Sequence, residues 1–290
     1  MTIGDDKSAF ITTTSNFQPA AGETWKVTGI AAYSAQANTN EFVMEITDGV
    51  DTVSFIRCYD IYAPSAASGA LSHKYVTWGD CGNVNKGIRT ALTEVSTHLS
   101  ATTSSNNGTL GGALYISNTN YLSITITGTA NCFIQAELVK DASTPNYLED
   151  VSEFVTSTST MQPGAGEEYL VTGVCGHANS YLNTNGFFCA ITDGATTYPL
   201  FYAHPTTITS SNLSFTYGEI VLGGCGTRVN NLTGSDSNAL IYKKNCAAPW
   251  SYAGGYYGRS RWQYRLTNTN YLSFTETGAY TVFINALRTK

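Results

Sequence analysis

Leu122, Ile124 and Ile126 alternate with Ser123, Thr125 and Thr127. That is the period-2 pattern of a strand with one face in a core and the other in water. Asn118-Thr119-Asn120 ahead of it is turn chemistry, because Asn tolerates left-handed backbone angles and caps its own turn. Gly128 closes the stretch. The whole stretch, Ser117–Gly128, returns as Thr267–Gly278 with nine of its twelve positions identical. One position breaks the apolar stripe: Ile126 becomes Glu276. A carboxylate there needs water or a partner, and Arg265 and Arg261, just upstream across the turn, are the expected partners.

The same doubling runs along the chain. Gly22–Gly29 is matched by Gly166–Gly173, and Phe42–Gly49 by Phe187–Gly194. Trp25 and Val27 alternate with Thr24 and Lys26, again a one-sided strand. Asp48-Gly49 and Asp193-Gly194, set between β-branched flanks, predict type I′ hairpin turns. The returning strands are then Val53–Cys58 and Tyr198–Tyr202, and Pro199 makes the second an edge or bulged strand. Phe10–Pro19 reads as a single first strand, matched by Phe154–Pro163, and residues 1–9 read as a loose arm. Residues 60–112 and 203–260 diverge; within them Lys74–Trp78 and Ser214–Tyr217 read as strands, and Thr90–His98 fits a short helix or a strand. Each half closes with a final strand, Asn131–Val139 or Thr281–Leu287.

About seven to nine short strands per half, hairpin turns and no clear helix predict an all-β protein. The expected architecture is two tandem jelly-roll-like antiparallel β-sandwich domains, residues 1–145 and 146–290. The polar link at residues 140–146 is short, so the two should sit in a fixed relation.

Composition agrees with this picture and narrows the function. Charged residues are 12% of the 290, hydrophobic residues 42%, and there are 19 Tyr and 12 Phe. That is a neutral-polar surface over a real core, not a disordered chain. A net charge of −6 argues against nucleic acid as a partner. No apolar run reaches the length that spans a bilayer, and the N-terminus lacks the basic and apolar regions of a secretory signal. The seven cysteines have no framework spacing. They read as reduced, buried small hydrophobes of a protein folded in a cytoplasm.

Catalytic signatures are absent: no phosphate loop, no nucleophile elbow, no metalloprotease helix. The expectation is therefore a non-enzymatic protein without cofactor or metal. Cys175, His177 and Cys189 could be drawn as a metal site, but no fourth ligand appears, and two core cysteines beside a loop histidine is the simpler reading. Asp48 and Asp193 recur inside turns that want Asp for backbone reasons. Glu23 and Glu167 recur ahead of a strand and read as solvated rim residues. One insert in the second half stands out. Lys243, Lys244, Arg259 and Arg261 are interleaved with Trp250, Tyr252, Tyr256, Tyr257 and Trp262. Arg, Tyr and Trp are enriched at interface hot spots, so this is the candidate partner contact, for an acidic protein surface or a stacked glycan.

Taken together, the Gln-Pro turn, the Gly-Glu-x-[Trp/Tyr]-x-Val-Thr-Gly strand, Ile-Thr-Asp-Gly and Thr-Asn-x-x-Tyr-Leu resemble the small β-sandwich virion accessory proteins of tailed bacteriophages. These are capsid decoration (cement) proteins, head fibres and tail accessory proteins. The resemblance covers residues 10–58, 114–139, 154–202 and 266–287. It implies assembly on a virion, commonly as trimers, and carries no catalytic residues. The expected function is a decoration protein on the capsid surface, made in the bacterial host cytoplasm. Its partners would be the major capsid protein and itself, as a homotrimer, with no nucleic acid and no membrane. The alternatives are a head-fibre or tail receptor-binding protein that stacks a host surface glycan, and a double jelly-roll major capsid protein.

Overall fold

The computed structural model describes residues 2–34, 41–59, 75–79, 113–144, 147–178, 186–203, 206–210, 213–217, 219–223, 263–278 and 280–290. Among them the regular structure is all β. In the first half the strands are β1 (Ala9–Ile11), β2 (Ser15–Phe17), β3 (Thr24–Ser34), β4 (Glu41–Thr47), β5 (Thr52–Tyr59), β6 (Tyr75–Gly79), β7 (Leu114–Ser117), β8 (Tyr121–Thr127) and β9 (Ala130–Lys140). They form two antiparallel sheets, β1-β9-β3-β6 with β7 also beside β3, and β2-β8-β4-β5. Lettering the strands B to I, with β7 left out, gives the sheet orders B-I-D-G and C-H-E-F. Those are the two sheets of a jelly roll.

The second half repeats the plan. Its strands are β10 (Glu153–Val155), β11 (Ser159–Met161), β12 (Glu168–Ala178), β13 (Gly186–Thr192), β14 (Thr197–Ala203), β15 (Thr206–Ser210), β16 (Leu213–Tyr217), β17 (Glu219–Gly223), β18 (Tyr264–Thr267), β19 (Tyr271–Thr277) and β20 (Tyr280–Arg288). The sheet orders are β10-β20-β12-β17, with β18 beside β12, and β11-β19-β13-β14. Between β14 and β17 the described residues also form a β15-β16 hairpin. The strands expected at Lys74–Trp78 and Ser214–Tyr217 are β6 and β16, and Thr90–His98 lies outside the described residues. Pro199 does sit on an edge strand, opposite a register shift at Cys189 and Ala190.

Alternation builds each core. Val27, Ile30, Cys132, Ile134 and Leu138 face inward from one sheet, Met44, Ile46, Leu122 and Ile124 from the other. Leu122 and Ile124 have their counterparts in the buried Leu272 and Phe274.

Four local expectations are corrected. The first strand of each half is two short strands in opposite sheets, with the chain crossing at Thr12–Thr14 and again at Thr156–Thr158. Runs of Ser and Thr read as continuous strand, but their hydroxyls also bond backbone and favour such a crossing. Thr14 does this, giving its Oγ1 proton to the Ile126 carbonyl and accepting the Ile126 N–H. Second, residues 2–8 are no loose arm: Gly4 and Lys7 donate N–H groups to the Leu138 and Ala136 carbonyls of β9. Third, the Asp-Gly turns are not type I′. Gly49 and Gly194 have φ of 93° and 90°, but neither Asp has positive φ. Instead each aspartate carboxylate accepts two backbone N–H groups, from Val50 and Asp51 or from Ala195 and Thr196, and closes a four-residue loop. Fourth, Glu23 is only 7% exposed. It accepts the Trp25 indole N–H at 2.8 Å, as Glu167 accepts the Tyr169 hydroxyl at 3.2 Å. The recurring Glu-x-[Trp/Tyr] therefore fixes the strand entry.

Candidate assembly interface

Equivalent strands of the two halves differ in one respect. Along β9 the residues alternate between buried and more exposed, as in a sheet with one wet face. Along β20 every residue from Tyr280 to Leu287 is buried. The outer face of β20 is covered by the first half. Phe283, with Cys175 of β12, belongs to one continuous apolar cluster with Val53 and Phe55 of β5, and Phe154 packs against it. β5 lies against both β12 and β20, and β7 against β20.

Polar groups complete this contact. β7 pairs with β3 through one of its edges, which leaves Tyr115 with a free N–H and C=O on the other. Asn285, 0% exposed, fills that vacancy. Its Oδ1 accepts the Tyr115 N–H at 3.0 Å and its Nδ2 donates to the Tyr115 carbonyl at 2.8 Å. A side-chain amide has the donor and acceptor of a peptide group, so it can serve as one more rung of the sheet. Asn285 is itself held by Thr172, whose Oγ1 donates to Oδ1 at 2.7 Å, and by the Ser152 hydroxyl, which accepts from Nδ2 at 2.9 Å. Thr172 sits at a bulge between Val171 and Gly173 that interrupts the β12 register and turns its side chain toward Asn285.

Beside it runs the segment that enters the second half. Leu148, at φ 61°, starts a run along β20 in which Val151 donates to the Ala286 carbonyl. This places Asp150 against the Ser117–Asn120 turn of the first half. Ser117 Oγ donates to Asp150 Oδ2 at 2.6 Å and Asn120 Nδ2 to the same oxygen at 3.2 Å. The Asp150 N–H donates to Thr24 Oγ1 at 3.3 Å. Burial pushes the Asp150 carboxyl above its ordinary range, and the donors from Ser117, Ser152 and Asn120 act against that shift. On β10, burial pushes the Glu153 carboxyl up to about 7, and its Oε1 has no hydrogen-bond partner. Arg288 closes the rim with Glu149 and Glu167 at 3.2 and 3.4 Å.

This interface was not singled out by the sequence reading. The signal was in the final strands. Asn131, Gln135 and Glu137 give the first a polar face, while Phe283 and Leu287 make the second largely apolar on both faces, with Thr281 and Asn285 the exceptions. The residues that were singled out, Lys243, Lys244, Trp250, Tyr252, Tyr256, Tyr257, Arg259, Arg261 and Trp262, lie outside the described residues. Glu276 is described, and its partner is not Arg265. Its Oε1 accepts the Tyr280 N–H at 2.7 Å and holds the turn into β20, while Arg265 lies 3.5 Å from Glu168. Cys175 and Cys189 fall in two different apolar clusters. Among the described residues no group of three His, Cys, Asp or Glu is placed to hold a metal ion.

No family model matches this chain, and no curated protein matches it. Among solved structures, a chain in the atomic structure of Sulfolobus turreted icosahedral virus matches 99% of this chain at 9% identity, with a TM-score of 0.23. The match spans 57% of that viral chain.

Proposed function

We propose that the chain is a non-enzymatic structural protein of a virion. In this reading it is a decoration protein that binds the assembled phage capsid across subunit boundaries and stabilises it, with the major capsid protein as partner and a homotrimer as its working form. What supports the reading above all is the buried contact that locks two copies of one jelly roll together through Asn285 and Asp150. A clamp across a subunit boundary needs two similar surfaces at fixed spacing, because a second contact gains strength from the first only when geometry lets both engage. A flexible pair would lose that gain to ordering entropy. The neutral Ser/Thr/Asn surface suits dense packing of many copies.

A ligand that binds only the assembled state stabilises it by mass action. Shells assembled without this protein should therefore rupture at lower temperature and under milder osmotic shock, and adding the purified chain back should restore them. Equal survival of bare and complete shells would remove the decoration role.

A further inference from the structure

The contact between the halves joins two different surfaces: the outer β10-β20 face of the second half and the β5-β7 side of the first. Such a head-to-tail contact leaves one copy of each surface unused. The first half carries the unused copy of the face. Phe10 and Phe133 occupy the places of Phe154 and Phe283 and make the same tilted ring pair, at 4.8 Å against 5.0 Å. Yet Phe10 is 80% exposed where Phe154 is half-buried, and Phe133 is half-buried where Phe283 is fully buried. Asp6 and Ser8 stand where Asp150 and Ser152 do and already have their conformation. Ser8 N–H donates to Asp6 Oδ1 at 2.9 Å, as Ser152 N–H does to Asp150 Oδ1 at 3.0 Å. Ser8 Oγ brackets Ala136 as Ser152 Oγ brackets Ala286. Gln135 takes the place of Asn285 and is exposed.

The second half carries the unused receiving side. Its Thr267–Asn270 turn is built like Ser117–Asn120. In each, the first residue donates N–H to the carbonyl of the fourth at 2.8 Å, and its hydroxyl accepts the N–H groups of the third and fourth. Asn120 is buried under the second half, whereas Asn270 is exposed. Val53 of the covered β5 is buried, whereas Tyr198 at its place on β14 is 70% exposed.

We propose that these two unused surfaces bind each other between copies of the chain. The Asp6-Ser8-Phe10-Phe133 face of one copy docks on the Thr267–Asn270 turn and β14 side of the next. The occupant is a second copy because the same two kinds of surface already meet within the chain, with the same side chains in the same local geometry. Asp6 accepts hydrogen bonds from the Thr267 hydroxyl and the Asn270 amide, and Phe10 and Phe133 are covered as Phe154 and Phe283 are. This deepens the shell-protein reading by giving the self-contact, but its test needs no virion. Its failure would leave the chain's place on a capsid untouched, and absence from a capsid would leave the contact untouched.

The test is sedimentation velocity on the purified full chain, alone and mixed. Wild type should associate below about 100 μM. Phe10→Asp disables the face and Asn270→Asp sets a carboxylate against Asp6; each alone should weaken association by at least about tenfold. Both positions are exposed, and far-UV circular dichroism is the check that each variant is folded. Mixed one to one, the two variants should form a dimer that grows no further, because each retains the surface the other has lost. Asp6→Asn combined with Asn270→Asp should recover part of the association. A monomeric wild type, variants that associate as wild type does, or a mixture that stays monomeric would each overturn the proposal.

Discussion

Asn285 shows how much one side chain carries when it stands in for a peptide group. Truncating it leaves the Tyr115 N–H and C=O buried without partners, each of which costs about 1 to 3 kcal/mol. Asn285→Ala should therefore lower stability by roughly 3 kcal/mol, read as a lower urea midpoint at unchanged slope. An unchanged midpoint would mean that water replaces the amide. Glu153 gives the opposite kind of residue, a half-buried carboxyl whose Oε1 has no hydrogen-bond partner. With its value raised to about 7 from the ordinary 4.5, it holds a proton in the folded chain that the unfolded chain has released. Stability is thus fullest below about pH 4.5 for this group and falls as pH rises to about 7. Asp150, also raised, acts in the same direction. Ala9 occupies the place of Glu153 in the first half. Glu153→Ala should flatten the thermal midpoint between pH 5 and 8 relative to wild type, and an equally steep profile would assign the dependence elsewhere. The Cys132 thiol, pushed up to about 12 by burial, should resist alkylation until the chain unfolds, as peptide mapping after labelling would show.

Strands inherit constraints that their own sequence states only in part. At Gly176 on β12 an added Cβ would meet the Thr281 carbonyl oxygen at 2.7 Å and Val282 Cα at 2.9 Å. Neither is the end of a flexible side chain, so Gly176→Ala should cost at least about 2 kcal/mol in a urea titration. The first half accepts Ala32 at the same place, which makes the prediction specific to the β12–β20 pair. A melt equal to wild type would show that β20 can shift. Most of the fold was legible, because alternation at Leu122–Ile126 and at Trp25–Val27 reflects a face in a core, and two-sided burial is the only thing that hides it. The sheet change inside Phe10–Pro19 was not legible: Thr and Ser suit both strand and turn, and pairing with β8 and β9 decides. The interface was half legible. Phe283 and Leu287 show that β20 is largely apolar on both faces, but nothing local tells that the cover is the first half. The roles of Glu23 and Glu276 were hidden because a carboxylate beside a strand reads as solvated until its backbone or indole donor is in place.

Among the described residues, the repeated unit uses one contact internally and leaves Phe10, Tyr198 and Asn270 of the matching surfaces exposed. Between β17 and β18 lies the cationic aromatic insert, which we propose as a contact for the major capsid protein. Replacing Arg259 and Arg261 by Glu should abolish incorporation into shells while leaving the fold intact, since charge reversal at a docking surface costs attraction and adds repulsion. Incorporation at the wild-type level would place the contact elsewhere. The central claim, that this is a virion decoration protein, is tested most directly by separating purified heads from tails and quantifying the chain in each by mass spectrometry. The account predicts that it is found on heads, in many copies and in fixed ratio to the major capsid protein. Its absence from heads, or its presence only with tails, would contradict the account.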